Sequence, residues 1–363
     1  MPPSLPKPKS GILDIVPYVG GKSKAKSGVR VVKLSSNETP LGPSPKAIKA
    51  YGDVAGALHR YPDGTHSALH EAIAEVHKLP AERIICGAGS DELIGLLVHA
   101  YAGAGDEVLY SEHGFLMYKI YAQSFGATPV AAPEKNLRTD VDALLKCVTP
   151  RTKIVFVANP NNPTGSYISK AEMKRLRDGL PPQVILAVDA AYAEYADAPD
   201  YACGRELAET TNNTITLRTF SKIYGLAALR LGWAYGPASI IDIMNRIRGP
   251  FNVSAPAITA GAAAMRDTGF TEQAKKFNKK WREWLTTEIS KLGLKVHPSI
   301  ANFILIEFPK GKHSSANANA FLMERGLIPR EVANYGLPDA LRLSIGLEED
   351  NRAVVAALKE FLK

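Results

Sequence analysis

The chain is poor in cysteine. Its 363 residues include only three, Cys86, Cys147 and Cys203. They are widely spaced, with no Cys-x-x-Cys pair. This argues against a zinc cage or a disulfide framework and fits a reducing cytoplasm. Long apolar runs are also missing: nothing approaches the ~18 residues that a membrane span needs. The opening stretch, Met1-Pro-Pro-Ser-Leu-Pro-Lys-Pro-Lys9, lacks the apolar core of a secretory signal, so none is expected. No internal repeat or low-complexity block is present. The surplus of basic residues gives a net charge of +8, but those residues are dispersed and no nucleic-acid motif accompanies them. The densest group, Lys22, Lys24, Lys26, Arg30 and Lys33, lies in a Gly/Ser segment and reads as a solvated arm. A modest positive potential still suits small anionic substrates.

The remaining composition is that of a globular protein, long enough for one large domain and a smaller one. Residues 1–40 are rich in Pro, Gly and Lys and read as an extended N-terminal arm. From Tyr51 onward, helical patterns such as Ser67 to His77 and Asp91 to Tyr101 alternate with short apolar strands. The strands begin near Ile84, Glu107, Thr128, Ile154, Val184, Thr214 and Gly232. Continuous apolar runs separated by helices predict an α/β domain: a mostly parallel, seven-stranded sheet covered on both faces. This large domain is expected over 41–250. After Pro256 a long helical region with a break near Gly269 precedes several short strands, and a last helix runs from Glu348 to Leu362. That predicts a smaller α+β domain over 251–363.

Four stretches carry chemistry. Thr219-Phe-Ser-Lys222 places a lysine in a small-hydroxyl turn, eight residues before Arg230. A lysine can form a Schiff base with an aldehyde cofactor, and hydroxyls with an arginine can hold a phosphate. Taken alone, the stretch also reads as a surface Lys-Arg pair. Gly87-Ala-Gly89-Ser90-Asp91-Glu92 follows a strand and opens a helix, where small residues and helix amides favour an anion. Glu92 replaces the third glycine of a dinucleotide fingerprint, and a plain N-cap by Ser90 or Asp91 is the competing reading. Asn159-Pro-Asn-Asn162-Pro163-Thr-Gly165 fixes a turn that presents Asn162 at the C-terminal edge of the sheet, where open α/β folds bind ligands. Asp189 ends another buried strand, where a carboxylate calls for a cation. A protonated pyridine nitrogen is such a cation; a cap or turn former is the alternative. Tyr192 lies three residues on and reaches the same region.

In this order the motifs resemble those of pyridoxal-phosphate aminotransferases of fold type I, most closely the histidinol-phosphate aminotransferase branch. Ser36-Asn37-Glu38-Thr39-Pro40, Arg60-Tyr61-Pro62-Asp63-Gly64 and Tyr335-Gly-Leu-Pro-Asp-Ala-Leu-Arg342 extend the resemblance over roughly residues 11 to 362. It implies pyridoxal 5'-phosphate as cofactor, with Lys222 as the Schiff-base lysine and proton carrier. Asp189 would pair with the ring nitrogen, while Asn162 and Tyr192 would bond the ring oxygen. Ser90, Asp91, Thr219, Ser221 and Arg230 would hold the phosphate. Tyr118 would stack on the ring, with Phe115 a second candidate. Tyr61 would reach the partner's cofactor in a homodimer with shared sites. Arg342, Arg330 and Asn37 would face the substrate, Arg330 being otherwise a surface strand-end residue.

The implied reaction transfers an amino group from a small anionic donor to a 2-oxo acid, with L-histidinol phosphate and 2-oxoglutarate as the best specific pair. Alternatives are an aromatic amino-acid or prephenate aminotransferase, a decarboxylase of a phosphorylated amino acid, and a regulator's effector-binding module. The last would need an N-terminal DNA-binding domain, for which residues 1–40 are too short. His113-Gly114 and Leu41 depart from the branch's pattern and leave the donor open. His66 and His70, at i,i+4 spacing, offer two metal ligands. No third is apparent in the sequence, so they read as a solvent-facing helix surface and no metal is expected. Trp281 and Trp284 read as packing residues.

Overall fold

The computed structural model describes residues 7–24 and 29–363. Lys26, one of the basic arm residues, lies outside them. The described residues form thirteen strands: β1 (Val32–Lys33), β2 (Ile84–Gly87), β3 (Glu107–Ser111), β4 (Thr128–Ala132), β5 (Thr152–Ala158), β6 (Ile185–Asp189), β7 (Thr214–Thr219), β8 (Gly232–Tyr235), β9 (Lys295–His297), β10 (Phe303–Glu307), β11 (Leu327–Ile328), β12 (Arg330–Glu331) and β13 (Ala340–Ser344). Seven of them build one sheet in the order β2-β8-β7-β6-β5-β3-β4. Only β8 runs against the rest, pairing antiparallel with both β2 and β7.

The apolar runs are continuous because each face of this sheet has its own core. Along β5, Ile154 and Phe156 pack into one cluster, and Val155 and Val157 into another. Along β6 the same split separates Ile185 and Ala187 from Leu186 and Val188. Strands covered on both sides have no polar face, so the period-two signal vanishes. The exception is β4, which is partly exposed and contains Pro129, as an edge strand can tolerate.

The second sheet, β12-β13-β10-β9, is antiparallel and packs under the helices Thr268–Lys291, Ser315–Glu324 and Glu348–Phe361. The expected long helix is two, Ala255–Arg266 and Thr268–Lys291, meeting at Asp267. Trp281 is buried in the small core, with Trp284 packed beside it. Among its described residues the leading segment forms a 3-10 turn at Ile12–Asp14, and its later part is integrated into this unit. There β1 pairs in parallel with β11, and Val32 and Leu34 join the small core. Most of the described basic residues of the arm are paired: Lys22 with Glu331, Arg30 with Glu349, and Lys33 with Glu38.

Four helices matter below: α1 (Pro45–Asp53), α2 (Ser67–His77), α3 (Ser90–Tyr101) and α4 (Met117–Ser124). The reading of His66 and His70 as a solvent-facing surface is wrong. His66 precedes α2 with a left-handed φ of 55° that turns its ring inward, leaving it 1% exposed. His70 is half-buried, and Cys86 of β2 supplies the third ligating group that the sequence hid. Among the described residues, no helix is long and apolar enough to cross a membrane.

Candidate active site

Parallel strands end on one edge, and the register brings the chemical residues to it. Ala158 of β5 pairs with Asp189 of β6, Asp189 with Leu217 of β7, and Thr219 with Gly232 of β8. Above this edge lies a cleft of about 300 Å³. It collects Asn37, Ser90, Asp91, Asn162, Asp189, Tyr192, Thr219, Ser221, Lys222, Arg230 and Arg342 from segments far apart in sequence.

One end of the cleft is built for an anion. Helix α3 starts at Ser90, yet no side chain caps it, so the plain N-cap reading fails for both Ser90 and Asp91. Its first residues, Ser90 and Asp91, line the cleft after Gly89, whose φ of 88° suits glycine alone. A Cβ there would sit 2.6 Å from Arg230 Nη2, and one on Gly232 would sit 2.4 Å from the Ser90 amide nitrogen. Arg230 itself donates from Nη1 to Ser221 Oγ at 3.2 Å and from Nη2 to Asp91 Oδ2 at 3.3 Å. The Ser221 amide donates to Thr219 Oγ1 at 3.1 Å, which orders the turn leading to Lys222.

The floor is built for a cation. Asp189 accepts from the Tyr118 hydroxyl at 2.7 Å and from the Ala191 amide at 3.2 Å. Burial pushes its pKa up to about 6, and these hydrogen bonds offset only part of that. A buried carboxylate held this way gains from a positive partner. Tyr118 is therefore not a stacking residue. It is fully buried beneath Asp189, its ring stacked on Phe156 at 4.6 Å between centroids. The first turn of α4 points it down onto β5. Phe115, just before the helix, lines the cleft instead.

Lys222 stands between these ends. Its Nζ donates to the Ser36 carbonyl at 3.4 Å and lies 5.6 Å from the Tyr192 ring centre. Burial lowers its pKa to about 8, and the nearby Arg342 guanidinium adds to that. Asn37 Nδ2 donates to the Tyr192 hydroxyl at 2.9 Å. Arg342 donates to Asn162 Oδ1 and, at 2.7 Å, to the Ser35 carbonyl.

Three comparisons now bear on this arrangement. The family described as aminotransferase class I and II matches residues 29–358. The chain belongs to that family. Histidinol-phosphate aminotransferase of Nitrobacter hamburgensis is 55% identical over 361 residues, covering 99% of both chains. That of Rhodopseudomonas palustris strain HaA2 is 56% identical over 362 residues, with the same coverage. Among solved structures, histidinol-phosphate aminotransferase from Sinorhizobium meliloti in complex with pyridoxal-5'-phosphate has a TM-score of 0.89 and 26% identity, covering 99% of this chain and 98% of that one.

The class I and II aminotransferase resemblance implies pyridoxal phosphate, and the residues present fit it. The uncapped helix start suits its phosphate, Asp189 its ring nitrogen, and a lysine with a lowered pKa its aldehyde. Besides Tyr118, two expected residues lie outside the cleft. Tyr61 is 83% exposed and stacks on Phe251 at 4.6 Å. Arg330 is buried, but its Nη2 donates to the Val19 carbonyl at 2.7 Å. Sequence reasoning missed the segment that Arg330 holds. Tyr18, Gly20 and Gly21 close the cleft mouth, and Ser35 Oγ donates to the Lys22 carbonyl at 2.7 Å. These ties run to backbone carbonyls, which no side-chain pattern announces. The departures are accommodated: Leu41 packs on the large core, and His113 Nδ1 donates to the Tyr335 carbonyl at 2.7 Å.

Proposed function

We propose that this chain transfers the amino group of L-histidinol phosphate to 2-oxoglutarate, giving imidazole acetol phosphate and L-glutamate. Pyridoxal phosphate, when bound, supplies a reactive carbonyl and an electron-accepting ring. The observation that carries the chemistry is the meeting of three features in one cleft: a lysine shifted toward neutrality, a buried carboxylate and an uncapped helix start. The end-to-end likeness to the Nitrobacter and Rhodopseudomonas enzymes supports the choice of donor.

In this reading Lys222 Nζ holds the cofactor and carries the proton. Asp189 holds the ring nitrogen, with the Tyr118 hydroxyl orienting the carboxylate. Asn162 and Tyr192 hold the ring oxygen, and Phe115 covers the ring. Ser90 and Asp91 amides, Thr219, Ser221 and Arg230 hold the phosphate. Arg342 takes the substrate carboxylate, with Asn37 beside it and Arg330 supplying the second cation for the phosphorylated donor. The exposed Tyr61–Phe251 stack supports a homodimer in which Tyr61 completes the partner's site. Three free cysteines and the absence of a membrane-spanning helix among the described residues are compatible with a cytoplasmic home.

Borohydride reduction of the loaded enzyme fixes the cofactor to whichever lysine holds it. Peptide mapping should find the label on the Lys222 peptide. A label on any other lysine would overturn the assignment.

A further inference from the structure

One cluster of ligating side chains lies outside the cleft and has no part in the reaction. His66 stands at the start of α2 and His70 one turn further on. Cys86 lies in β2, three residues before Gly89. The Nε2 atoms of both histidines are excluded from solvent and have no hydrogen-bond partner. One ligand atom from each of the three residues lies within 4.8 Å of the others. The two imidazole rings stand 6.0 Å apart and inclined at 70°, edge to face rather than stacked.

Two unpartnered buried nitrogens beside a buried thiol are costly as a packing arrangement. They are natural as a binding site. We propose that His66, His70 and Cys86 bind a divalent cation of the zinc class through two imidazole nitrogens and one thiolate. A fourth position is left for water. The thiolate and imidazoles select such a metal over magnesium or calcium, which prefer oxygen donors. Binding breaks the Cys86 S–H bond, forms a sulfur–metal bond and releases one proton, with no change of oxidation state. Bonds of about 2.0–2.3 Å imply ligand atoms ~3.5 Å apart, so the cluster must tighten by ~1 Å. The half-buried His70 is the side chain with room to move.

The surrounding charges set limits. Arg248 opposes a cation here, while Asp63 favours it, and Asn252 is a polar neighbour of His66. The site joins two segments of the large unit. His66 follows the turn that carries Tyr61, and Cys86 leads into the Gly89–Ser90 turn. Metal would clip the first to the second.

The test is titration of EDTA-stripped holoenzyme with Co²⁺, read by tetrahedral d–d absorption to the red of the cofactor bands. X-ray absorption of the Zn²⁺ form is read in parallel. One equivalent per chain, a sulfur shell at about 2.3 Å with nitrogens near 2.0 Å, and a raised unfolding temperature are expected. His70→Ala and Cys86→Ala should each weaken uptake by at least ~10-fold while the cofactor absorbance stays. Absence of uptake by the wild type, a metal shell without sulfur, or bands unchanged in His70→Ala would overturn the proposal. The last outcome would assign the metal to the cofactor or to another surface. Should Cys86→Ala fail to fold, His70→Ala and the wild-type sulfur shell still decide it.

Discussion

Arg330 and Arg342 are direct register partners across the antiparallel pair of β12 and β13. Both are buried, at 7% and 5% exposed. Like charges directly opposite on neighbouring strands repel: burial lowers the pKa of Arg342, and Arg330 adds to that. Among the described residues, no carboxylate hydrogen-bonds either guanidinium: Arg330 bonds the Val19 carbonyl, and Arg342 bonds Asn162 and the Ser35 carbonyl. Two buried cations held by neutral groups, with Arg342 Nε left without a partner, suit a neighbourhood that receives anions.

This pairing divides the labour between the two arginines. On the proposed function, a substrate with one carboxylate would need one of them, and a phosphorylated donor would engage both. Arg342→Ala should impair glutamate and histidinol phosphate alike. Arg330→Ala should reduce kcat/KM for the phosphorylated donor by roughly 10- to 150-fold, the worth of a charge-assisted contact, and affect glutamate far less. Equal losses for both donors would show that Arg330 only anchors the 18–22 segment.

Much of this site was legible in the sequence, because strand ends and turn residues are local signals. Asp189 closes an apolar run, and Asn162 sits in a Pro-fixed turn. Lys222 lies between hydroxyls. What stayed hidden depends on phase and distance. Tyr118 and Phe115 are three residues apart, and the start of α4 decides which faces the cleft. Arg330 finds its partner 311 positions away, at Val19. His66 and His70 read as surface because their third neighbour, Cys86, comes from a separate element, β2.

Asp189 should be functional rather than structural. Asp189→Asn removes the charge that matches a ring cation, and the loss of a few kcal/mol should lower kcat roughly 10²-fold or more. Tyr118→Phe removes one hydrogen bond from the same carboxylate and should cost much less, near the ~1 kcal/mol of a single bond. Steady-state rates of both variants check this. Near-wild-type turnover in Asp189→Asn would contradict the assignment.

The exposed Tyr61 makes a prediction about assembly. Tyr61→Ala and Lys222→Ala chains should each be impaired alone. Mixed dimers should regain activity, since one of the two sites then has both residues intact. Subunit exchange is followed by mass spectrometry and activity by glutamate formation. Exchange without any recovery would mean that Tyr61 does not serve the partner's site.

The lowered pKa of Lys222 has a sign that can be measured. In the folded, cofactor-free chain the amine loses its proton near pH 8, against 10.5 for the unreacted side chain. Between these values the unfolded state binds more protons, so this group's contribution to stability rises with pH across the window. Only the neutral amine captures an aldehyde. The rate of cofactor uptake by the apoprotein should therefore climb with pH and level off above about 8. Arg342→Ala, which removes a positive neighbour, should move the midpoint upward. A flat profile, or a midpoint that ignores Arg342, would refute this account of the lysine.

The central claim is that this cleft moves an amino group from a phosphorylated donor through Lys222. A donor panel with 2-oxoglutarate, read as glutamate formed, tests it most directly. L-Histidinol phosphate should give the highest kcat/KM, at least ~10-fold above tyrosine or phenylalanine, as expected from one added charge-assisted contact. Lys222→Ala should lower turnover by at least ~10²-fold, the least expected when the proton-carrying group is removed. Preference for an aromatic donor, or full turnover without Lys222, would contradict the account.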